Sequence, residues 1–512
     1  METLFFHLGF FFFIIWLLYN IFFHRKQKLP PSPFALPIIG HLHLLNKSLP
    51  LPLALETLLS QFGQIISLKF GCRPVLVVSS PSAVEECLAK NDVIFANRPK
   101  SMSGDHFTYN YVTYVWASYG DLWRSLRRLT VVEMFSSKSL QRTCAIREEE
   151  VHSLLRRLFK ISGGGGKQKV DMKHLISLLM CNIIMRIAAG KRCVEEEDED
   201  TEVEKQLFRD FKERFFPILS LNICDFVPIL RLIGFRGIEK SMIKMQKLRD
   251  DYLQNLLDEV RFKCCNSKIS ELKERMSVIE TLLALQQLEP EYYSDEVIKS
   301  IMVMMFVAGV ETSAVSVEWA MSLLLNHPQV MQKLKAEIAK YVGNDHLLND
   351  LDLTKLPYLR CVVNETLRLY PPGPLLLPHF SSETCTVGGY EVQKGTMLLV
   401  NVWSMHRDPN VWEDPNEFKP ERFEGDIGEQ VGSKYIPFGM GRRACPGAGM
   451  GIRMVSLALG ALIQCFNWEI NEKDGLDKVD MAVHFGISLS KAKPLSALCT
   501  PVPELVQLLS QL

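Results

Sequence analysis

The spacing of apolar and polar positions changes several times along the chain, and each change predicts an element. From Leu4 to Phe23 nearly every residue is apolar (METLFFHLGFFFFIIWLLYNIFF opens the chain). About twenty such residues at a rise of 1.5 Å each span a bilayer core, which predicts a transmembrane helix. Glu2 is the only charge before the run, and His24-Arg25-Lys26-Gln27-Lys28 follow it. A cleaved signal would carry its positive charge in front, so residues 1–28 read as an uncleaved anchor that leaves the body of the chain in the cytosol. LPPSPFALPIIG (29–40) then fixes φ at Pro30, Pro31, Pro33 and Pro37 and predicts a stiff, extended hinge.

Helical periodicity dominates the remainder. The longest pattern runs from Ser294, a candidate N-cap followed by Asp295 and Glu296, to Asn326, just before Pro328. At the usual rise it is about 50 Å long and crosses a whole domain. LRCVVNETLRLYPPGP (359–374) predicts a helix ended by Pro371-Pro372. QIISLKF (64–70) and PVLVVSS (74–80) predict a hairpin around Gly71, and TVGGYEVQKGTMLLVNV (386–402) predicts two more short strands. SGGGGK (162–167) and the acidic EEEDEDTEVE run read as solvated connectors. Strand and helix do not alternate regularly, which argues against a doubly wound parallel sheet. The expectation is a mainly α fold with a small β region: one large domain over 41–512.

Composition narrows the partners. With 58 basic and 58 acidic residues the net charge is zero, which gives no reason to expect nucleic acid as a partner. Thirteen cysteines without a single CxxC pair argue against a disulfide framework or a zinc site and for a reducing compartment.

Three segments carry chemistry. In the middle of the long helix, MMFVAGVETSAVSVEWA places Ala308-Gly309 where bulky side chains are expected, then Glu311-Thr312-Ser313 among apolar neighbours. Gly inside a helix costs about 1 kcal/mol against Ala, so space is wanted there, as a flat ligand would need. Thr312 is expected to bond back to the Ala308 carbonyl. Glu365 and Arg368 share a helix face at i and i+3, and FKPERF supplies Arg422; together they suit a buried network. PFGMGRRACPG (437–447) resembles a loose GxGxxA dinucleotide loop, but Pro446 interrupts the helix that motif needs and no βαβ unit surrounds it. Cys445, beside arginines and ahead of a helix start, is in a setting that lowers a thiol pKa. Read alone, this loop allows a reactive thiol or a nucleotide loop, and no His or Asn partner for a nucleophilic Cys can be placed.

Taken together these segments resemble the haem-thiolate monooxygenases of the cytochrome P-450 superfamily over nearly the whole chain. Phe438, Gly441, Arg443, Cys445 and Gly447 meet every fixed position of that family's Phe-x-x-Gly-x-Arg-x-Cys-x-Gly signature, and Glu365, Arg368 and Arg422 match its Glu-Arg-Arg triad. Ala308-Gly309-x-Glu311-Thr312-Ser313 matches its oxygen-activation motif. The resemblance implies haem b with Cys445 as axial thiolate, Arg443 on a haem propionate, and Phe438 and Gly439 in the cofactor loop. Trp123 and Arg127 of DLWRSLRR, with His379 of LLLPHF, are implied as further cofactor contacts. Thr312 and Glu311 are implied in proton delivery to bound O2. Electrons are implied to come from NADPH through a membrane-bound NADPH-haemoprotein reductase, with Arg442, Lys434, Arg124 and Arg128 as docking charges. The likeness is strongest to the plant microsomal branch that contains isoflavone hydroxylases, which implies the endoplasmic reticulum membrane, a single pass and a small apolar substrate such as an isoflavonoid, lignan, xanthone or diterpenoid. The implied pocket residues are Phe107, Tyr111, Phe216, Met305, Ala308, Leu376 and Phe485. Two other readings stay open: a haem-thiolate isomerase or dehydratase that needs no reductase, and a non-catalytic membrane protein that binds haem or a sterol.

Overall fold

The computed structural model describes residues 11, 28–45, 49–195, 202–215, 222–266, 277–425, 431–471, 477–486 and 488–512. The expected anchor and Phe216 lie outside them, apart from residues 11 and 28. Among the described residues, eleven helices of nine residues or more are numbered α1 to α11 in chain order: Leu51–Phe62, Asp121–Leu129, Cys144–Ile161, Met172–Ala189, Glu202–Phe215, Ile238–Asn266, Val278–Leu288, Asp295–Asn326, Pro328–Tyr341, Pro357–Leu369 and Ala448–Cys465. The fold is mainly helical with small sheets, as the periodicity predicts.

Helix α8 is the axis of this assembly. Its Ser294 side chain accepts from Val297 N at 3.4 Å, and the helix ends at Asn326, ahead of Pro328. It is apolar on every face, which a helix tolerates only when other helices cover it. Helices α4, α10 and α11 pack along it. Among the described residues three helices (α4, α8 and α11) are long and apolar enough to cross a membrane, but 83%, 72% and 72% of their apolar windows are buried inside the protein, so they serve as core.

Gly309 owes its identity to this packing. A Cβ there would stand 2.7 Å from Cδ1 of Ile184 on α4. The space anticipated for a ligand is therefore taken up by a helix–helix contact, which corrects the reading of Gly309. Ala308, one residue earlier, is the position that stays open: it is exposed in a helix otherwise largely buried.

The principal sheet has the order β1 (Ile65–Phe70), β2 (Arg73–Val78), β7 (Met397–Val400), β4 (His379–Phe380). The β1–β2 pair is the expected hairpin, while β2 and β7 run parallel with Val78 opposite Val400. Gly71 turns the hairpin at φ 56°, and a Cβ there would fall 1.9 Å from the Phe226 carbonyl oxygen, so no other residue fits. The stretch 386–402 forms three strands rather than the two expected: β5 (Cys385–Val387) and β6 (Tyr390–Val392) make a separate hairpin. A second sheet joins β3 (Gln168–Asp171), β11 (Ser496–Pro501) and β8 (Phe466–Glu469), and β9 (Val483–Phe485) pairs with β10 (Leu489–Lys491). The proline-rich hinge is fastened to β1, with Ser67 N donating to the Pro31 carbonyl at 2.9 Å and His41 N to that of Lys69 at 2.7 Å.

The Gly309–Ile184 contact sets a testable sign. In an open helix Gly→Ala stabilises by about 1 kcal/mol; Gly309→Ala is expected to give no such gain, and to regain it in an Ile184→Ala background. A denaturant double-mutant cycle should show a coupling of roughly 0.5–3 kcal/mol; additive effects would contradict the contact.

Candidate active site

Two backbone constraints shape the loop that carries Cys445. Gly439 and Gly441 adopt φ of 71° and 70°, and a Cβ on Gly441 would meet the Leu88 carbonyl oxygen at 2.1 Å and Asp92 Oδ1 at 2.7 Å. Side chains cannot occupy that approach. The Cys445 N–H donates to the Phe438 carbonyl at 2.8 Å, closing the loop, and α11 starts three residues later.

The Cys445 side chain is exposed, yet surrounding protein still desolvates it. Both hold for a group that faces an internal cleft. Burial raises the thiol pKa, and the Gly447 N–H and Arg127 oppose that only in part. The expected lowering of this pKa by the loop itself is therefore corrected: desolvation outweighs the nearby positive charge. A coordinating cation removes a thiol proton outright, and that supplies what the loop does not.

Around this cleft the structure gathers cations that have no carboxylate counter-ion among the described residues. Arg443 donates to the carbonyls of Ala96 (2.6 Å), Tyr114 (3.0 Å) and Ala117 (2.5 Å), with its guanidinium 4.7 Å from the Trp123 ring centre. Arg98, which the sequence did not single out, is buried and donates to Val115 (3.1 Å), Leu377 (2.7 Å) and Pro378 (2.8 Å) carbonyls. His379 is buried too, with Nδ1 2.9 Å from the Phe95 carbonyl. Burial, then Arg127, lowers Arg443 to about 9; burial, then Arg443, lowers Arg98; burial, then Arg98, lowers His379. Burial also lowers Arg127, which Tyr114 and Cys445 partly offset.

None of Arg98, Arg127 and Arg443 has a carboxylate partner among the described residues. Buried charges are ordinarily paired, so this cluster suits an anionic group. A haem with its propionates meets the same need, and the open Cys445 sulfur supplies a soft ligand for its iron.

On α8, Thr312 is half-buried and its Oγ1 donates to the Ala308 carbonyl at 2.5 Å, the back-bond expected of it. Glu311 is half-buried as well, and its negative charge acts on Lys212 of α5. Ala308 and Thr312 thus share one open turn of α8, and α11, which leads out of the Cys445 loop, packs on the same helix.

The other expected pocket residues are less uniform. Met305 is buried on α8, and Leu376 sides with the loop, its methyls 3.8 to 4.0 Å from where a Cβ on Gly439 would stand. Phe485 is half-buried and packs edge-on against Trp403 at 5.3 Å. Phe107 is buried beneath the Arg249 guanidinium, 4.9 Å from its ring centre. The Tyr111 hydroxyl is engaged with Ser101 and Asp105. Of the expected docking charges, Lys434, Arg128, Arg124 and Arg442 are exposed; Arg124 pairs with Asp121, and Arg442 with Asp92 at 3.0 Å. Two surface clefts of about 460 Å³, around His174 and around Tyr358, contain none of the site residues.

Behind the loop the three residues of the expected network meet. Glu365 and Arg368 are fully buried and bonded twice, Nε to Oε2 and Nη2 to Oε1, both at 2.7 Å. Arg422 Nε reaches Glu365 Oε1 at 3.2 Å, and the Lys419 N–H donates to the same oxygen at 3.0 Å. The remaining Arg368 donors are spent on the carbonyls of His406, Pro415 and Glu417, which fastens α10 to the 406–422 stretch.

Comparisons with known proteins find relatives along nearly the whole chain. A family model described as Cytochrome P450 matches residues 30–496. The chain is similar to Cytochrome P450 81Q32 of Catharanthus roseus, at 49% identity over 93% of this chain and 92% of that protein. It is also similar to the isoflavone 3'-hydroxylase of Medicago truncatula, at 42% identity over 94% of each. Among solved structures it resembles a zebra fish cytochrome P450 with abiraterone, with a TM-score of 0.73 at 27% identity, covering 89% of this chain and 100% of that one.

Removing the carboxylate charge from the network leaves the fully buried Arg368, with the partly buried Arg422 beside it, without their shared counter-charge. Glu365→Gln is expected to cost about 3–5 kcal/mol in chemical unfolding, and an unchanged midpoint would show that the network carries no load.

Proposed function

The chain belongs to the cytochrome P450 family and is a monooxygenase that uses haem with a cysteine thiolate and electrons from a reductase, and from that premise we propose that it oxidises a small apolar plant phenolic, an isoflavonoid, lignan or xanthone in class, at a site built on Cys445. The observation that carries the site assignment is the exposed Cys445 thiol beside three buried or half-buried arginines that have no carboxylate partner among the described residues. The substrate class rests on the 42% identity to an isoflavone 3'-hydroxylase together with an open turn at Ala308. Diterpenoids share the apolar character but have no such support.

In this reading Cys445 holds the iron, and Arg443, Arg98 and Arg127, with Trp123 and His379 beside them, hold the propionate side. Phe438 and Gly439 shape the loop. Thiolate-ligated haem supplies the chemistry of O–O bond cleavage when bound. The residues of the chain manage protons and shape. With its hydroxyl proton committed to the Ala308 carbonyl, Thr312 Oγ1 is an acceptor in the resting arrangement. It becomes a donor by giving up that back-bond, and Glu311, adjacent in sequence and half-buried, is placed to replace the proton from outside. Ala308 keeps the turn low enough for a flat substrate, with Met305, Leu376 and Phe485 as apolar walls. The N-terminal segment anchors the enzyme in the endoplasmic reticulum membrane by a single pass, where an NADPH-haemoprotein reductase meets the surface carrying Arg442, Lys434, Arg124 and Arg128.

Microsomes carrying the enzyme and a reductase, fed isoflavonoid, lignan, xanthone and diterpenoid panels, are expected to convert a phenolic, with product identified by mass spectrometry; turnover confined to diterpenoids would contradict the substrate class. With the accepted substrate, Thr312→Ala is expected to lower product formed per NADPH by on the order of 10²-fold, the lower end of the usual contribution of a positioned proton-transfer group. Unchanged coupling would remove Thr312 from proton delivery.

A further inference from the structure

His406 joins the buried ion network to the cysteine loop by hydrogen bonds at both ring nitrogens. Nδ1 lies 3.1 Å from the Arg368 carbonyl oxygen, and Nε2 lies 3.1 Å from the backbone nitrogen of Ile436. A carbonyl can only accept and a backbone N–H can only donate, so the ring is the neutral Nδ1–H tautomer. The residue is fully buried, and burial holds its pKa down to about 3, in keeping with a neutral ring. Its own carbonyl accepts from Arg368 Nη1 at 2.7 Å, and its ring stacks on Tyr435 at 5.6 Å and 22°. From Ile436 the path continues along the loop: the Ile436 carbonyl accepts from Gly439 N at 3.0 Å, and the Phe438 carbonyl from Cys445 N at 2.8 Å. A parallel tie runs nearby from the Tyr435 hydroxyl to Asn364, whose carbonyl and Oδ1 lie at 3.2 and 3.3 Å.

We propose that His406 is a positioning residue for the thiolate, transmitting the rigidity of the Glu365–Arg368–Arg422 network to the entry of the Cys445 loop so that the sulfur is held at one height. The case is geometric. The loop carries two glycines at positive φ, a single 3-10 turn (Gly432–Lys434) precedes it, and at its start the Ile436 N–H donates to a buried side-chain acceptor. Losing that acceptor leaves a buried N–H unsatisfied at the base of the loop, and the N–H is then free to draw the backbone toward another partner. The proposal rests on Cys445 as the iron ligand.

The full-length holoenzyme tests it. His406→Phe keeps the ring and its stack but removes both hydrogen bonds, whereas His406→Gln retains an acceptor for Ile436 N–H. The readout is the fraction of reduced, carbon monoxide-bound haem in the thiolate-ligated rather than the thiol-ligated form, at matched haem content, beside the thermal midpoint. The expected result is a several-fold fall in that fraction for His406→Phe and near wild-type behaviour for His406→Gln. Leu253→Ala, a buried truncation on α6, is expected to lower the midpoint without moving the fraction. A wild-type fraction in His406→Phe, or an equal loss in Leu253→Ala, would overturn the role. If His406→Phe does not accumulate, His406→Asn replaces it, because its shorter amide reaches the Arg368 carbonyl but not Ile436; equal fractions in the Asn and Gln variants would then overturn the proposal. A wild-type enzyme with no thiolate-ligated form would instead sink the reading of Cys445 itself.

Discussion

A carboxylate buried between two guanidiniums holds the catalytic half of this protein in shape. Glu365 has no exposure and accepts four hydrogen bonds, from Arg368 Nε and Nη2, Arg422 Nε and the Lys419 N–H, while Arg368 donates onward to the carbonyls of His406, Pro415 and Glu417. Such a network adds little net stability, because desolvating three charges consumes most of what their attraction returns. What it adds is a single geometry. Helix α10, the 406–422 stretch and, beyond them, the approach to Cys445 are arranged around one point that cannot relax without stranding a charge.

The opposite electrostatic condition prevails across the loop. There Arg98, Arg127 and Arg443 crowd together with no carboxylate partner among the described residues. Backbone carbonyls satisfy the hydrogen-bonding geometry of the Arg98 and Arg443 guanidiniums but not their charge, so burial and neighbouring positive charge depress both. One side of the site is thus self-sufficient and fixed, while the other is incomplete until an anionic group arrives. The division suits a cofactor that must be gripped by its acidic edge and met by its iron at a sulfur of set height.

Much of this arrangement was legible in the sequence, and the parts that were not share a cause. Ser294, Asn326 and Pro328 bounded α8 correctly because caps and prolines act locally. Glu365, Arg368 and Arg422 could be grouped because the pattern of a known family links them across 57 residues. Arg98 and His406 carry no such signal: each works by donating to or accepting from backbone groups of distant segments, and a backbone carbonyl has no letter in the sequence. Gly309 shows the converse error. In the sequence a small residue there reads as room for a ligand, whereas the room belongs to Ile184 of a neighbouring helix. The thiol of Cys445 was expected to be acidified by its neighbours, and desolvation, which depends on the fold around it, reversed the sign.

The central claim is that Cys445 presents a thiolate to haem iron in a cleft whose far side is cationic. The most direct measurement is the carbon monoxide difference spectrum of the reduced enzyme, wild type against Cys445→Ser. The account predicts the absorption band of a thiolate-ligated carbonyl haem in the wild type and its complete loss in the serine variant. Retention of that band after the substitution would contradict it.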